Sequence, residues 1–382
     1  MTTSRHRFGS FALLASGFFA VLITLSGVAR AEDAPGEEVL VPAVDILDSN
    51  GDGILDPYEA LDALLTIQKE LDGKPVTLEA LAQLEAEWAA DEESEVSELF
   101  DQLDEDGDGR LSRDEMDEDI LEYEDVIDSN KDGFITPEEI MAVEDLDPMF
   151  MDEDEIEKEV NSIFAEYDRN RDGVIKKREA KRDWNGFIKE MDRNLDKRVT
   201  RDEVMEVFVA DNKIMDFDIK DGTAHVSGVI TTETPADVLR LLYEHPEVHT
   251  LELNYISGSL DDEANLRACQ YIRDRGLMTI VPSGCMVASG GTDLFLSGLY
   301  RSCGEHALIG VHSWSWMGDD GDELPRDHVE HEAYLEFYRD MDIPDDFYWF
   351  TLEAAPADDI HWMTPDELQQ FGCIRLPEES IP

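Results

Sequence analysis

Two periodicities divide the chain near residue 212. Upstream, apolar residues recur one, four and eight positions before acidic stretches: Leu103, Phe100 and Val96 before Asp104, Tyr167, Phe164 and Val160 before Asp168, Met191, Ile188 and Trp184 before Asp192. That spacing places them on one face of a helix running into an acidic loop. Downstream, short runs rich in Val, Ile and Leu alternate with helical stretches. Residues 224–230 and 248–253 read as strands on either side of a helix at 235–244, a βαβ unit. A turn at Ser257-Gly258-Ser259, a helix to about Arg275, a strand at 277–281 and the segment 284–296 follow. The pattern predicts a multidomain chain, an all-α module followed by an α/β domain.

The acidic stretches form a repeat. Starts at Asp104 and Asp128 lie 24 residues apart, and so do those at Asp168 and Asp192. A further start at Asp48 predicts a partner at position 72, and Asp72 is there, followed by Gly73-Lys74-Pro75-Val76-Thr77-Leu78-Glu79. With Val76 as the apolar loop position, this stretch is a shortened loop that has lost two ligand positions. Three helix-loop-helix pairs are therefore expected, at 32–90, 91–147 and 150–212, the second hand of the first pair being degenerate.

A hard cation such as calcium takes six to eight oxygens, and a 12-residue loop supplies them from positions 1, 3, 5, the carbonyl of 7, and a bidentate Glu at 12. The first loop offers Asp48, Asn50, Asp52, Ile54 and Glu59, and the second Asp104, Asp106, Asp108, Arg110 and Glu115. The third offers Asp128, Asn130, Asp132, Phe134 and Glu139, and the fourth Asp168, Asn170, Asp172, Val174 and Glu179. All four carry Gly at position 6, where the turn is sharpest. The fifth has Asp192, Asn194, Asp196, Arg198 and Glu203, with Lys197 in place of that glycine, which predicts a weaker site. Leu55, Leu111, Ile135, Ile175 and Val199 at position 8 are expected to join loop to loop through a short two-stranded contact. This pattern is identified as that of the EF-hand family, which implies Ca2+ as cofactor. At the calcium levels outside cells, a structural or buffering role stands ahead of signalling.

The 91 acidic residues against 31 basic ones give a formal charge of -60, which attracts divalent cations and argues against nucleic acid as a partner. Residues 1–31 read as a signal peptide: Arg5, His6 and Arg7, an apolar run over 11–28, then Ala29-Arg30-Ala31 as the cleavage site. Export to the periplasm or outside the cell is expected, the alternative being an anchor in the membrane through 11–28. The four cysteines, Cys269, Cys285, Cys303 and Cys373, lie in the C-terminal part, and in an oxidising compartment Cys285 with Cys303 is the preferred pair, free buried thiols the alternative.

The part from 213 to 382 resembles the ClpP/crotonase superfamily, and within it the periplasmic ClpP-like proteins. Ala288-Ser289-Gly290-Gly291 is similar to the serine-bearing helix start of the peptidases, Ile309-Gly310-Val311-His312 to the strand end carrying histidine, and Ile256-Ser257-Gly258-Ser259 to the oxyanion loop. The resemblance implies a serine hydrolase or peptidase: Ser289 as nucleophile, His312 as base, Asp359 or its neighbour Asp358 as the third member, and the N–H groups of Gly258 and Gly290 as oxyanion hole. It also implies a protein or peptide substrate and self-association through this domain. Ser289 as a small packing residue and His312 as a partly buried structural histidine are the alternatives, leaving a non-catalytic calcium-dependent scaffold or a calcium buffer.

Overall fold

The computed structural model describes residues 56–71, 99–116, 118–142, 150–181, 183–316 and 319–377, with scattered positions between 74 and 97. The expected signal peptide, the alternative anchor, Asp48, Asn50, Asp52, Ile54 and Leu55 of the first loop and most of the degenerate hand lie outside them. No helix among the described residues is long and apolar enough to cross a membrane. The chain forms two compact units, one over 11–147 and one taking in Pro148–Pro382. The third loop pair therefore belongs to the same unit as the α/β domain, and 212 is a change of sequence character rather than of packing.

In the first unit the helix Pro57–Glu70 starts at a capping box, Asp56 accepting from the Glu59 N–H and Glu59 from the Asp56 N–H. Further on, β1 (Leu111–Ser112) runs antiparallel to β2 (Phe134–Ile135), with Leu111 opposite Ile135. These are the position-8 residues of the second and third loops. Leu99, Leu111, Ile120, Ile127, Ile135 and Ile140 are buried from the helices and ribbon around them.

The second unit begins with the helix Glu153–Tyr167, whose Ile156, Val160, Ile163 and Tyr167 form its buried face. Strands β3 (Val174–Lys176) and β4 (Arg198–Thr200) pair antiparallel with Ile175 opposite Val199, and the helix Arg201–Asp211 leaves β4 from a Thr200–Glu203 capping box. The module is thus helical with a two-stranded ribbon in each of these two pairs.

A single eight-stranded mixed sheet follows. β5 (Asp216–Lys220) and β6 (Thr223–Ser227) form an antiparallel hairpin, and β6 runs parallel to β7 (Thr250–Ile256). The sheet forks at β7. Its first half pairs with β8 (Met278–Val281), which continues to β10 (Tyr300–Cys303), while Tyr255 and Ile256 pair with β9 (Met286–Ala288), which continues to β11 (Leu308–Val311). The small ribbon β12 (Ser315–Trp316) and β13 (Asp319–Asp320) intervenes before β14 (His361–Trp362), which closes the edge antiparallel to β11. Helices Thr234–Glu244, Asp262–Arg275, Gly290–Leu296, His331–Asp340 and Asp345–Ala354 cover the core, in which Val226, Leu253, Ile272, Phe295 and Phe347 are fully enclosed. Arg301 is 1% exposed and donates to the carbonyls of Leu296, Gly298, Met341, Gly372 and Cys373, so backbone dipoles rather than a carboxylate hold this buried cation. All four cysteines are free, so the pairing of Cys285 with Cys303 is not made.

Candidate functional site: the acidic loops and the Ser289 cavity

Each described loop is organised by the carboxylate of its first residue. Asp104 accepts from the N–H groups of Gly107 and Gly109, Asp128 from Asp132 and Gly133, Asp168 from Asp172 and Gly173, and Asp192 from Asp196 and Lys197, all between 2.7 and 3.1 Å. Folding a loop around one carboxylate requires left-handed backbone at position 6, and Gly109, Gly133, Gly173 and Lys197 all show it. Position 4 is left-handed as well, at Gly107, Lys131, Arg171 and Leu195, a feature that the residue types there do not announce.

In the third, fourth and fifth loops the last residue is also the third residue of the exit helix. Glu115, Glu139 and Glu203 each direct Oε2 to the N–H and hydroxyl of Ser112, Thr136 and Thr200 respectively. The fourth loop has Lys176 at that capping position. Glu179 is 5% exposed, its Oε1 accepts from Asn170 Nδ2 at 2.7 Å, and its Oε2 is buried with no hydrogen-bond partner among the described residues. A buried carboxylate oxygen without a donor is costly, and a cation coordinated there removes the cost. Asp104, Asp106 and Asp108 bring carboxylate oxygens within 4.8 Å of one another. Asp128, Asp168, Asp192, Glu139 and Glu203 are each buried to 8% exposure or less, close-set like charges that a divalent cation would neutralise. The donor set is all oxygen, which fits calcium. The remaining predicted ligands, Asn130, Asp132, Asn170, Asp172, Asn194 and Asp196, lie in the same loops, with Arg110, Phe134, Val174 and Arg198 at the carbonyl position. Glu59 stands at the helix start after the first loop.

A family model described as "EF hand" matches residues 96–120 and 125–143, which span the second and third loops. Residues 96–143 are an EF-hand segment. No curated protein matches the chain. Among solved structures, it is similar to the 1510-N membrane-bound stomatin-specific protease bound to a substrate peptide, at 15% identity and a TM-score of 0.27, over 40% of this chain and 75% of that one. It is also similar to a protein from Streptomyces coelicolor A3(2) described as an enoyl-CoA hydratase, at 17% identity and a TM-score of 0.27, over 44% and 67%. The chain is multidomain, with an EF-hand segment at 96–143 and an α/β domain built on a mixed eight-stranded sheet.

In that domain, Ser289 occupies the turn from β9 into the helix Gly290–Leu296, at φ 51° and ψ -130°. A serine held at positive φ is strained, and several contacts hold it there. Its N–H donates to the Gly310 carbonyl, the Thr292 hydroxyl reaches the same carbonyl at 2.7 Å, and Asn265 Nδ2 donates to the Gly290 carbonyl. A Cβ on Gly290 would lie 2.4 Å from Ser259 Oγ, so only glycine fits beside the serine. Gly258 packs against it from the other side, where an added Cβ would stand only 3.3 Å from Ser289 Cβ. Among the described residues, the Gly258 and Gly290 N–H groups find no acceptor, and Ser289 Oγ makes no hydrogen bond.

Ser289 and His312 line one cavity of about 40 Å³. His312 Nδ1 lies 2.7 Å from the Ser313 carbonyl. That contact makes Nδ1 the donor and leaves Nε2 as the acceptor in the neutral ring. Burial lowers the His312 pKa from 6.5, opposed by the Ser313 carbonyl and the charge of Asp262. Asp359 does not take the expected third place. It is exposed, in a turn closed by its N–H to Pro356, and its carboxylate accepts from Ile360 N–H at 2.8 Å, folded back on its own chain.

The cavity instead contains residues that sequence reasoning missed: Asp262 and Asp293, with Trp314, Tyr334, Tyr338 and Tyr348. They come from separate segments with no common spacing. The sole signal at sequence level is the conjunction of acids and tyrosines on helices that flank the Ser289 motif.

Proposed function

We propose that the chain is an exported calcium-binding protein whose α/β domain is a serine hydrolase acting on acyl compounds, peptides included. The observation that carries the hydrolase reading is Ser289, held in a strained turn with a free hydroxyl, in one cavity with a neutral, oriented imidazole. Ser289 Oγ attacks the acyl carbon as His312 Nε2 takes its proton. The Ser313 carbonyl holds Nδ1–H, so the imidazolium is stabilised by a backbone dipole and the site works as a Ser–His dyad. The unpaired N–H groups of Gly258 and Gly290 stand beside Ser289 to meet the oxyanion. His312 then returns the proton to the leaving group, and water repeats the sequence to free the acid. Calcium, when bound, neutralises the buried carboxylates of the loops.

A fluorophosphonate reports the nucleophile directly. Labelling is expected in the wild-type chain and absent in Ser289→Ala. Because burial depresses the His312 pKa, the labelling rate should hold steady above pH 6.5 and fall only below it. Equal labelling of the two chains, or none in either, overturns the hydrolase reading and leaves a calcium-binding scaffold.

A further inference from the structure

The cavity beside Ser289 is lined by two carboxyl groups. Asp262 enters it from the helix Asp262–Arg275 and Asp293 from the helix Gly290–Leu296, whereas no lysine or arginine is among the described residues that line it. Trp314, Tyr334 and Tyr348 form a near-parallel series in its wall, with successive centroids 6.1 and 5.6 Å apart. Such a wall suits the methylene stem of a long side chain.

The two acids are not equivalent. Asp262 is fully occupied, one oxygen accepting from Ser259 Oγ and the other from the Tyr334 hydroxyl at 2.6 Å. Asp293 is 8% exposed. Its Oδ1 accepts from the Tyr338 hydroxyl at 2.7 Å, while Oδ2 accepts nothing among the described residues. Folding alone therefore leaves one oxygen of Asp293 without a protein donor, in a residue that lines a cavity. Burial, and secondarily the charge of Asp262, push the Asp293 carboxyl up to about 8, so a proton occupies the place that an arriving cation would take.

We infer that this cavity is a specificity pocket for a cationic side chain, so that the compounds Ser289 attacks carry an alkylammonium or guanidinium group near the bond cleaved. The cation's N–H groups supply the donor that Asp293 Oδ2 lacks, and Asp262 supplies the second charge. Attack by Ser289 rests on the hydrolase reading; the pocket's preference for a cation does not.

Two readouts on the calcium-loaded full chain keep the two apart. In Ser289→Ala, n-butylammonium and n-propylguanidinium are titrated against neutral n-butanol while tryptophan emission is followed, with Trp314→Phe as control for the reporting residue. In the wild type, the same three probes compete with fluorophosphonate for Ser289. The cations are expected to act at concentrations at least tenfold below butanol in both assays, and Asp293→Asn to abolish that ratio. Asp262→Asn, expected to shrink it, provides the test if Asp293→Asn fails to fold. Butanol acting as well as the cations overturns the inference even if Ser289 labels normally. A cation preference in emission without any labelling keeps the pocket and removes the hydrolase.

Discussion

Lys197 has a φ of 66° at loop position 6, where Gly109, Gly133 and Gly173 have 82°, 84° and 77°. The left-handed turn is imposed by the N–H of position 6 reaching the Asp192 carboxylate, so lysine bears strain that glycine would not. Lys197→Gly should stabilise the unit by about 1 kcal/mol, raising its melting temperature by about 2–4 °C; an unchanged or lower melting point contradicts this. Position 6 is legible in the sequence because glycine marks it, whereas Lys131, Arg171 and Leu195 give no such mark at position 4. Asp293 is illegible for a similar reason, since its role depends on Tyr338 and Asp262 from distant segments. Its pKa has a stability consequence whose sign is definite. At low pH both folded and unfolded chains hold the proton; between 3.8 and about 8 only the folded chain does, so the contribution of this residue declines as pH rises across that window. Asp293→Asn should remove that decline, seen as a flatter dependence of the denaturant midpoint on pH than in the wild type, and parallel profiles would refute it.

At the scale of elements, the second and third loops pair through Leu111 and Ile135 and the fourth and fifth through Ile175 and Val199, as the position-8 pattern predicts. Glu179 tests whether the fourth loop holds calcium. Glu179→Gln keeps the size of the side chain and removes the charge, so a calorimetric titration should lose one calcium ion per chain; unaltered stoichiometry would show that the buried oxygen is not a ligand. The fifth loop is built into the α/β domain. Arg193, its second residue, donates to the Asn254 carbonyl and lies over the Tyr255 ring, and its own carbonyl sits 2.0 Å from where a Cβ on Gly284 would be. Gly284 also has a φ of 81°. Gly284→Ala should therefore unseat the fifth loop, costing on the order of 1–3 kcal/mol and weakening calcium binding there. Normal melting and binding in that variant would mean that the contact is incidental.

At the scale of the whole molecule, the Pro148–Pro382 unit joins the third loop pair to a candidate active site through shared packing. Tyr255 and Met286 belong to the same buried cluster as Ile175, Val199 and Val207 of the loop pair, the Tyr255 hydroxyl bonds Asp211, and Trp362 Nε1 donates to Glu190. The strands touched here, β7, β9 and β14, are the one that leads to Gly258, the one that leads to Ser289, and the partner of the strand leading to His312. In the sequence only the short connection from Ala210 to Lys213 points to this, by bringing the fifth loop's exit helix close to the α/β domain; the contacts themselves are not legible, because acidic loops and apolar strands suggest a boundary near 212 while the residues that erase it are single aromatics and a methionine. Through this packing, calcium bound in the third pair is expected to stabilise the α/β domain itself. The direct test is thermal unfolding of the full chain, in millimolar calcium and in excess chelator, followed by near-UV circular dichroism of the aromatic residues concentrated in the α/β domain. An upward shift of that domain's transition in calcium, by several degrees and together with that of the loop pair, is the result predicted. Identical melting of the α/β domain in the two conditions would contradict it.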